Sequence, residues 1–542
     1  MNHERAPEPA GVGTSDVRDP DTDPTATYAL DPGYVRALTD QVLATDAASG
    51  TVATYCPFNG QPLGAIPQST AADVEEAFAR ARRAQETWAR TSLEERAAVL
   101  LRLHDLVLDR QAEIIDLICW ESGKARKHAF DEPMHIALTA RYYARTGREH
   151  LGTRRHAGVV PGLTRVEVNR VPKGVVGIIS PWNYPFTMAL CDGLPALMAG
   201  NAVVAKPDAQ TMLSALLGRQ LLIEAGLPED LWQVVAGPGS VIGTEIVQRA
   251  DYVCFTGSTA TGRLIARQCA ERLVGCSLEL GGKNPFLVLR DADLDRAAEG
   301  AVRASFSNAG QLCVSMERLF VADQVYDRFV DKFVARTRAM TLRAGLDWGS
   351  DMGSLISRDQ LDTVVAHVED AVAKGARVLT GGRARPDLGP YFYEPTILEG
   401  VTPDMTCFGD ETFGPVIALY RFGDESDAVA RANAGQYGLN AAIYTRDGAR
   451  GRALARQVKC GTVNVNEAFG ATFGSVDSPM GGMRDSGLGR RQGAEGIHRY
   501  TESQSVATQR LIRFAPMLGM SEETYAKVMT ANLRVMNKLG WK

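Results

Sequence analysis

The 542-residue sequence has no apolar run of the roughly 18 residues that cross a bilayer, and no basic segment followed by an apolar one at its start. Export and membrane spanning are therefore both disfavoured. It has no basic excess: 59 Lys and Arg against 64 Asp and Glu leave a net charge of −5, which argues against nucleic acid or an anionic membrane as principal partner. No C-x-x-C pair occurs among its nine cysteines (56, 119, 191, 254, 269, 276, 313, 407 and 460), and its eight histidines form no H-x-x-x-H pattern. An odd, scattered set of thiols suggests neither a disulfide scaffold nor a zinc site, so no metal and a reducing, cytoplasmic compartment are expected. Histidines such as His104, His128 and His150 read as surface or packing residues.

Apolar material is plentiful, at 45% of a chain too long for one core, so two or three domains are expected. Residues 1–28 are rich in Pro, Asp, Thr and Ala and hold too few bulky apolar side chains to offset ordering, which predicts a disordered tail. Val74, Ala77, Phe78 and Ala81 recur at helical spacing. A second helix opens with the capping-box pattern Ser92-Leu-Glu-Glu95 and is expected to run to about Trp120, before Gly123. Arg165–Val171 alternates as a half-buried ribbon does. Then apolar runs at 174–180, 202–205, 232–235, 252–255 and 277–280 alternate with helical stretches, which predicts a parallel sheet covered on both faces, the architecture of nucleotide-binding domains. A second alternating region begins at Pro285 and runs to about Pro479. From Ser521 to Leu539, Tyr525, Val528, Met529, Leu533 and Met536 form one apolar stripe, read as packing against a subunit, with a membrane-surface helix as the alternative.

Chemistry concentrates in Ser305–Ser315, SFSNAGQLCVS, where Cys313 lies among small, polar and turn-forming neighbours. A random cysteine is a small buried hydrophobe, so its company has to decide. That company is Glu279 in Leu-Glu-Leu-Gly-Gly, Asn183 in Pro-Trp-Asn-Tyr-Pro, and the turn Gly257-Ser-Thr-Ala-Thr-Gly262, which follows an apolar strand and precedes a helix as phosphate-binding turns do. Lys206 falls at the carboxyl end of a predicted strand, where open α/β sheets bind ligands. Thiol, carboxylate, amide and phosphate-sized turn together suggest covalent chemistry with a nucleotide.

Five motifs occur in order: Phe-Thr-Gly-Ser (255–258), Leu-Glu-Leu-Gly-Gly-Lys-Asn-Pro (278–285), Gly-Gln-Leu-Cys (310–313), Glu-Thr-Phe-Gly-Pro-Val (411–416) and Pro-Met-Gly-Gly-Met-Arg-Asp-Ser-Gly (479–487). Together they resemble the NAD(P)-dependent aldehyde dehydrogenase superfamily over roughly residues 35–505. Within it, Ser-Met-Glu-Arg-Leu after the cysteine and Asp-Met-Gly-Ser-Leu-Ile at 351–356 are most similar to actinobacterial succinate-semialdehyde dehydrogenases.

The resemblance implies a Rossmann-like parallel-sheet cofactor domain (29–150 and 173–281), an α/β catalytic thiol domain (282–479), a β-ribbon oligomerisation arm (151–172 and 480–510) and a C-terminal helical extension (511–542). It implies Cys313 as nucleophile, Asn183 as oxyanion donor and Glu279 as the base that activates water. For the cofactor it implies Lys206, Pro207, Asp208 and Ala209 at the adenosine ribose, Gly257 and Ser258 at the pyrophosphate, Glu411 on the nicotinamide ribose, and Trp182, Leu280 and Phe413 packing nearby. Relatives that prefer NAD place a glutamate where this chain has Ala209, so NADP is expected, with NAD as the alternative.

The implied activity is oxidation of succinate semialdehyde to succinate, by a homodimer or homotetramer. The arginines that hold the distal carboxylate in other such enzymes are here Ser307 and Cys191, and Arg318 reads as structural. The same chemistry on an aromatic or aliphatic aldehyde is therefore an alternative, and a catalytically silent protein of the same fold is another. A CoA-acylating relative is disfavoured by Glu279, and a papain-like hydrolase by the want of a histidine near any motif.

Overall fold

The computed structural model describes residues 30–159, 164–510, 514–517 and 519–541; the tail expected at 1–28 lies outside them. Two parallel-rich sheets, each covered by helices, stand at the centre, as the alternating pattern predicts. The six-stranded sheet has the order Gly487–Leu488, Gly275–Glu279, Tyr252–Thr256, Val175–Ile179, Ala202–Lys206, Trp232–Val234; its members are parallel except for the short Gly487–Leu488 edge. Strands such as Ala202–Lys206 are buried on both faces, which is why they read as continuous apolar runs. Each fully buried Val or Ile in them contributes about 1.5–3 kcal/mol relative to exposure.

The chain leaves the Val175–Ile179 strand, builds outward to one side as far as Trp232–Val234, then returns to lay Tyr252–Thr256 on the other side. The strand order therefore reverses between Ile179 and Thr256, and the crevice at their carboxyl ends is where such sheets bind ligands. The seven-stranded sheet runs Arg377–Thr380, Thr396–Glu399, Val416–Phe422, Met316–Ala322, Asn284–Val288, Asn440–Tyr444, Thr462–Val465, with only the Arg377–Thr380 edge antiparallel. Its amino ends, carrying Asn284 and the loop before Met316, face the carboxyl ends of the first sheet.

The helices begin where their caps require. Thr70 and Asp73 form a capping box for Ala71–Trp88, and Ser92 and Glu95 form another for Leu93–Asp109. The helix expected to continue to Trp120 is in fact two. At Arg110 the backbone leaves helical geometry (φ −103°, ψ 21°), and its guanidinium holds Glu113 at 2.6 Å and Glu224 at 2.7 Å before Gln111–Ser122 starts. Gly123, at φ 71°, ends that helix in the left-handed conformation that glycine adopts at no steric cost, and it delivers Lys124 into the interior.

A three-stranded ribbon pairs Thr501–Gln509 with Thr164–Pro172, and Thr164–Pro172 with Arg154–His156, all antiparallel. Residues 480–510 are thus shared. Gly487–Leu488 joins the six-stranded sheet, Gly493–His498 is a helix, and Thr501–Gln509 enters the ribbon with an exposed edge. The Glu522–Lys538 helix forms as its stripe predicts, with Ser521 as cap, and buries none of its residues. Among the described residues no helix is long and apolar enough to cross a membrane.

Candidate active site

The reversal between the strands ending at Ile179 and Thr256 opens a cavity of about 230 Å³. Because each strand ends where its loop begins, Trp182 and Asn183 enter from one side, Gly257 and Ser258 from the other, and Glu279 and Leu280 from the neighbouring strand end. The facing sheet contributes Cys313, Glu411 and Phe413 to the same walls. Nine of the residues singled out in the sequence therefore line one cavity.

Cys313 arrives on a contorted loop. Asn308 and Ala309 both stand at φ 52° and Gly310 at φ 72°, so three successive residues occupy left-handed space, a sparsely populated arrangement that surrounding bonds must enforce. A β-carbon at Gly310 would collide with the carbonyl of Gly414, so the site admits only glycine. The enforcing bonds are present. Asn308 Nδ2 donates to the carbonyls of Asn183 (3.1 Å) and Gln311 (3.0 Å), and Gln311 Oε1 accepts from the Ile356 amide at 3.0 Å. Asn284 Nδ2 donates to the carbonyls of Cys313 and Ser315 at 2.8 and 2.7 Å. The half-buried thiol is pushed up to about 12, first by burial, then by Glu279 and Glu411, with Arg491 opposing.

Glu279 ends its strand opposite Thr256 on one side and Gly487 on the other. Its carboxyl is buried and Oε1 has no hydrogen-bond partner, so burial raises it to about 7 against the pull of Arg491, Arg499 and Arg490. Asn183 commits one amide hydrogen to the Gln311 carbonyl (3.1 Å), which orients its NH₂ toward the thiol loop. Its own carbonyl accepts from Lys124 Nζ at 2.7 Å. Lys124 is fully buried, paired with Glu132 at 2.6 Å and stacked 3.8 Å over the Tyr184 ring. Sequence reasoning missed Lys124; the signal was the helix-ending glycine immediately before it.

On the cofactor side, Glu411 accepts from the Gly282 amide at 2.8 Å and is raised to about 8 by burial and by Glu317. Phe413, at φ 52°, packs edge-on against Trp182 at 5.5 Å. Its backbone is fixed by Glu317, which accepts from the amides of Thr412 and Phe413 and pairs with Lys283. Ser258 caps the thirteen-residue Thr259–Glu271 helix, whose amino end points into the crevice.

Lys206, Pro207, Asp208 and Ala209 lie outside this cavity, at the end of the adjacent strand. The buried Lys206 Nζ donates to the Pro207 carbonyl at 3.3 Å, and burial lowers its pKa. Asp208 does not reach outward: its carboxylate caps the short Ala209–Thr211 turn by accepting from the Gln210 amide at 3.0 Å. This set fits a dinucleotide. It offers a cation with donors to spare, a helix amino end in a glycine turn, and a carboxylate at the far end.

Ser307 and Cys191 are both buried, and Ser307 Oγ donates to the Arg303 carbonyl at 2.7 Å, so neither is a wall of the cavity. Arg318 gives its guanidinium to the carbonyls of Lys283, Arg431, Ala432 and Ala434, a structural tie as the sequence suggests. Arg491 does line the cavity, and nothing in the sequence reading singled it out. Among the described residues no cluster of His, Cys, Asp and Glu is arranged to hold a metal.

A switch-point crevice closed by a second sheet that delivers a thiol marks the chain as an α/β protein with a ligand-sized site between two parallel-rich sheets. The chain belongs to the aldehyde dehydrogenase family, whose profile matches residues 44–506. A protein of Mycolicibacterium smegmatis provisionally named succinate-semialdehyde dehydrogenase, NADP(+), is 52% identical over 482 residues, covering 89% of this chain and 93% of that protein. The Escherichia coli succinate-semialdehyde dehydrogenase, NADP(+), is 38% identical over 451 residues, covering 82% of this chain and 92% of that one. Among solved structures, the succinate-semialdehyde dehydrogenase of Burkholderia pseudomallei superposes with a TM-score of 0.83 at 35% identity, over 88% of this chain and 99% of that chain. PnpE in complex with nicotinamide adenine dinucleotide gives 0.82 at 34% identity, over 86% and 96%.

Proposed function

We propose that this chain oxidises succinate semialdehyde to succinate with NADP, NAD serving as the alternative acceptor, through covalent intermediates on Cys313. The observation that carries the reaction is the convergence of Cys313, Glu279 and Asn183 on one cavity. The substrate and cofactor are supported by the names of relatives 38% and 52% identical over most of the chain.

Cys313 gives up its proton to water, and the resulting thiolate attacks the aldehyde carbon and forms a C–S bond as the carbonyl π bond opens to leave an oxyanion. Asn183 Nδ2 and the Cys313 backbone N–H donate to it where the charge develops. A bound nicotinamide supplies the acceptor for the hydride that leaves this carbon. Lys206, the Gly257–Ser258 turn and Glu411 hold the dinucleotide, with Trp182, Leu280 and Phe413 against it, and Pro207, Asp208 and Ala209 border its adenosine end. Water then adds to the thioester. Glu279 takes its proton, the C–S bond breaks, and the acid leaves as the thiolate is restored.

A second reading keeps the chemistry and changes the aldehyde. It is favoured by Ser307 and Cys191, neither of which brings a cation to the cavity, and by the apolar walls of Met188, Leu312, Phe473 and Met480 beside the single lining arginine, Arg491. A panel of succinate semialdehyde, benzaldehyde and medium-chain aldehydes, each assayed with NADP and NAD, separates the two. The highest kcat/KM on succinate semialdehyde is expected; a hundredfold preference for an uncharged aldehyde overturns the substrate assignment.

The same reading includes a cytoplasmic homodimer or homotetramer. The free state of all nine cysteines supports the compartment, and the exposed Thr501–Gln509 edge supports strand-to-strand assembly through the ribbon.

A further inference from the structure

Behind Glu279 lies a charged cluster that the steps above do not use. Asp192, just before the Gly193–Met198 helix, accepts from Arg491 at 2.9 Å and from Arg499 at 2.6 Å, and all three side chains are buried. Two guanidiniums against one carboxylate leave one positive charge uncancelled within the cluster. Arg499 turns away from the cavity to Tyr500, donating to its hydroxyl at 2.6 Å. Arg491 turns toward it. Its Nη2 also donates to Thr256 Oγ1 at 3.0 Å, and Thr256 is the register partner of Glu279 in the adjoining strand.

Arg491 and Glu279 line the same cavity, and each carries a buried polar atom without a hydrogen-bond partner, Nε on one and Oε1 on the other. Opposite charges this poorly hydrated are weakly screened, so each shapes the other's state. An ionised Glu279 brings the set of Asp192, Glu279, Arg491 and Arg499 to neutrality.

We propose that Arg491 is a positioning residue for the hydrolytic half of the reaction: its guanidinium, fixed by Asp192 and Thr256, is the counter-ion that keeps Glu279 in the basic form that accepts the proton of the attacking water. This rests on the base role assigned to Glu279 above. The other charged groups acting on Glu279 are Arg490, Arg499 and Asp192, of which the cations pull its pKa down and Asp192 pushes it up; Arg491 is the foremost of the cations. Cys313 responds to the same field, lowered by Arg491 and raised by Glu279. His135, stacked on Phe473 in the cavity wall, adds no charge, because burial and Arg491 hold it down at about 3.

The test measures the pH profile of kcat and the pre-steady-state burst of reduced NADP in wild type, Arg491→Gln, Arg491→Lys, Asp192→Asn and Glu279→Gln, with thermal unfolding as the check on folding. In Arg491→Gln the acidic limb of kcat should move up by about one pH unit while the burst persists, and Arg491→Lys, which keeps the charge, should return the limb toward wild type. Asp192→Asn exposes Glu279 to more positive charge, so its limb should move down. A folded Arg491→Gln with an unmoved limb overturns the proposal; if Arg491→Gln does not fold, an unmoved or raised limb in Asp192→Asn overturns it. Should Glu279→Gln turn over without accumulating thioester, the base assignment itself fails. If it accumulates thioester while the Arg491→Gln limb stays in place, only the counter-ion role fails.

Discussion

The Asn284 side-chain amide spans the two halves of the candidate site, donating to the Cys313 carbonyl at 2.8 Å and to the Ser315 carbonyl at 2.7 Å from the strand that follows Glu279. Its Oδ1 accepts from the Asn440 amide at 3.0 Å, so one buried side chain ties the base-bearing segment, the thiol loop and the next strand of the second sheet. Asn284→Ala leaves both loop carbonyls without that donor, each costing about 1–3 kcal/mol if no water replaces it. The loop it steadies already holds three residues in left-handed space, so the thiol should lose its place before the fold is lost. We expect kcat to fall by about 10–100-fold with KM for NADP little changed, measured beside a thermal unfolding scan. A variant with wild-type kcat would remove Asn284 from this role.

Cys313→Ala removes the only group on the cavity wall able to form the C–S bond, and turnover should drop by more than about 10⁴-fold. The unliganded thiol is held near 12, so its alkylation by iodoacetamide should be slow at pH 7 and rise steadily toward pH 9 as the thiolate fraction grows. A flat rate across that range would contradict a buried, carboxylate-flanked thiol.

Glu279 gives a stability prediction with a definite sign. Its carboxyl titrates at about 7 in the fold, against about 4.3 in an unfolded chain. A raised folded value means the protonated side chain favours the fold fully below about pH 4.3, and that contribution is lost as pH rises through 7. Glu279→Gln does not titrate. Its apparent unfolding temperature should therefore gain on that of wild type between pH 5.5 and pH 8, even as thioester accumulates and steady turnover slows. An equal difference at the two pH values would mean that Glu279 is already ionised at the lower one.

Strand alternation made the two-sheet fold legible, and the ordered motifs picked out Cys313, Glu279 and Asn183, which the fold brings to one cavity, because each depends on local pattern: apolar runs between turns, and short motifs in the strands and loops that border the crevice. The break at Arg110 was not legible: the helical pattern runs on through it, and one of the partners its guanidinium holds there, Glu224, lies more than a hundred residues away. Arg491 escaped for a similar reason. In Gly-Leu-Gly-Arg-Arg-Gln-Gly nothing local separates Arg491 from Arg490, and only the fold shows that Arg491 is buried against Asp192 while Arg490 stays partly exposed. Lys206 does end a strand, as the sequence suggests, and Ala209 follows in the short Ala209–Thr211 turn. What the sequence could not show there is that Asp208 spends its carboxylate on the Gln210 amide.

That last detail bears on cofactor choice. A carboxylate facing the adenosine ribose repels a 2′-phosphate, and the one nearest candidate, Asp208, is committed to capping the Ala209–Thr211 turn. Position 209 is partly exposed and presents only a methyl group, while Lys206 Nζ has donors left after its single bond to Pro207. The Lys206 cation, only partly offset by the neighbouring Asp208 carboxylate, favours NADP. Ala209→Glu introduces the anion without disturbing the cap, because residue 209 contributes no side-chain bond to the turn. We expect kcat/KM with NADP to fall by about a hundredfold, with the value for NAD unchanged or improved, as like charges brought together cost several kcal/mol. Equal losses with both cofactors would show that residue 209 shapes the adenosine pocket sterically and that charge at this position does not set the preference.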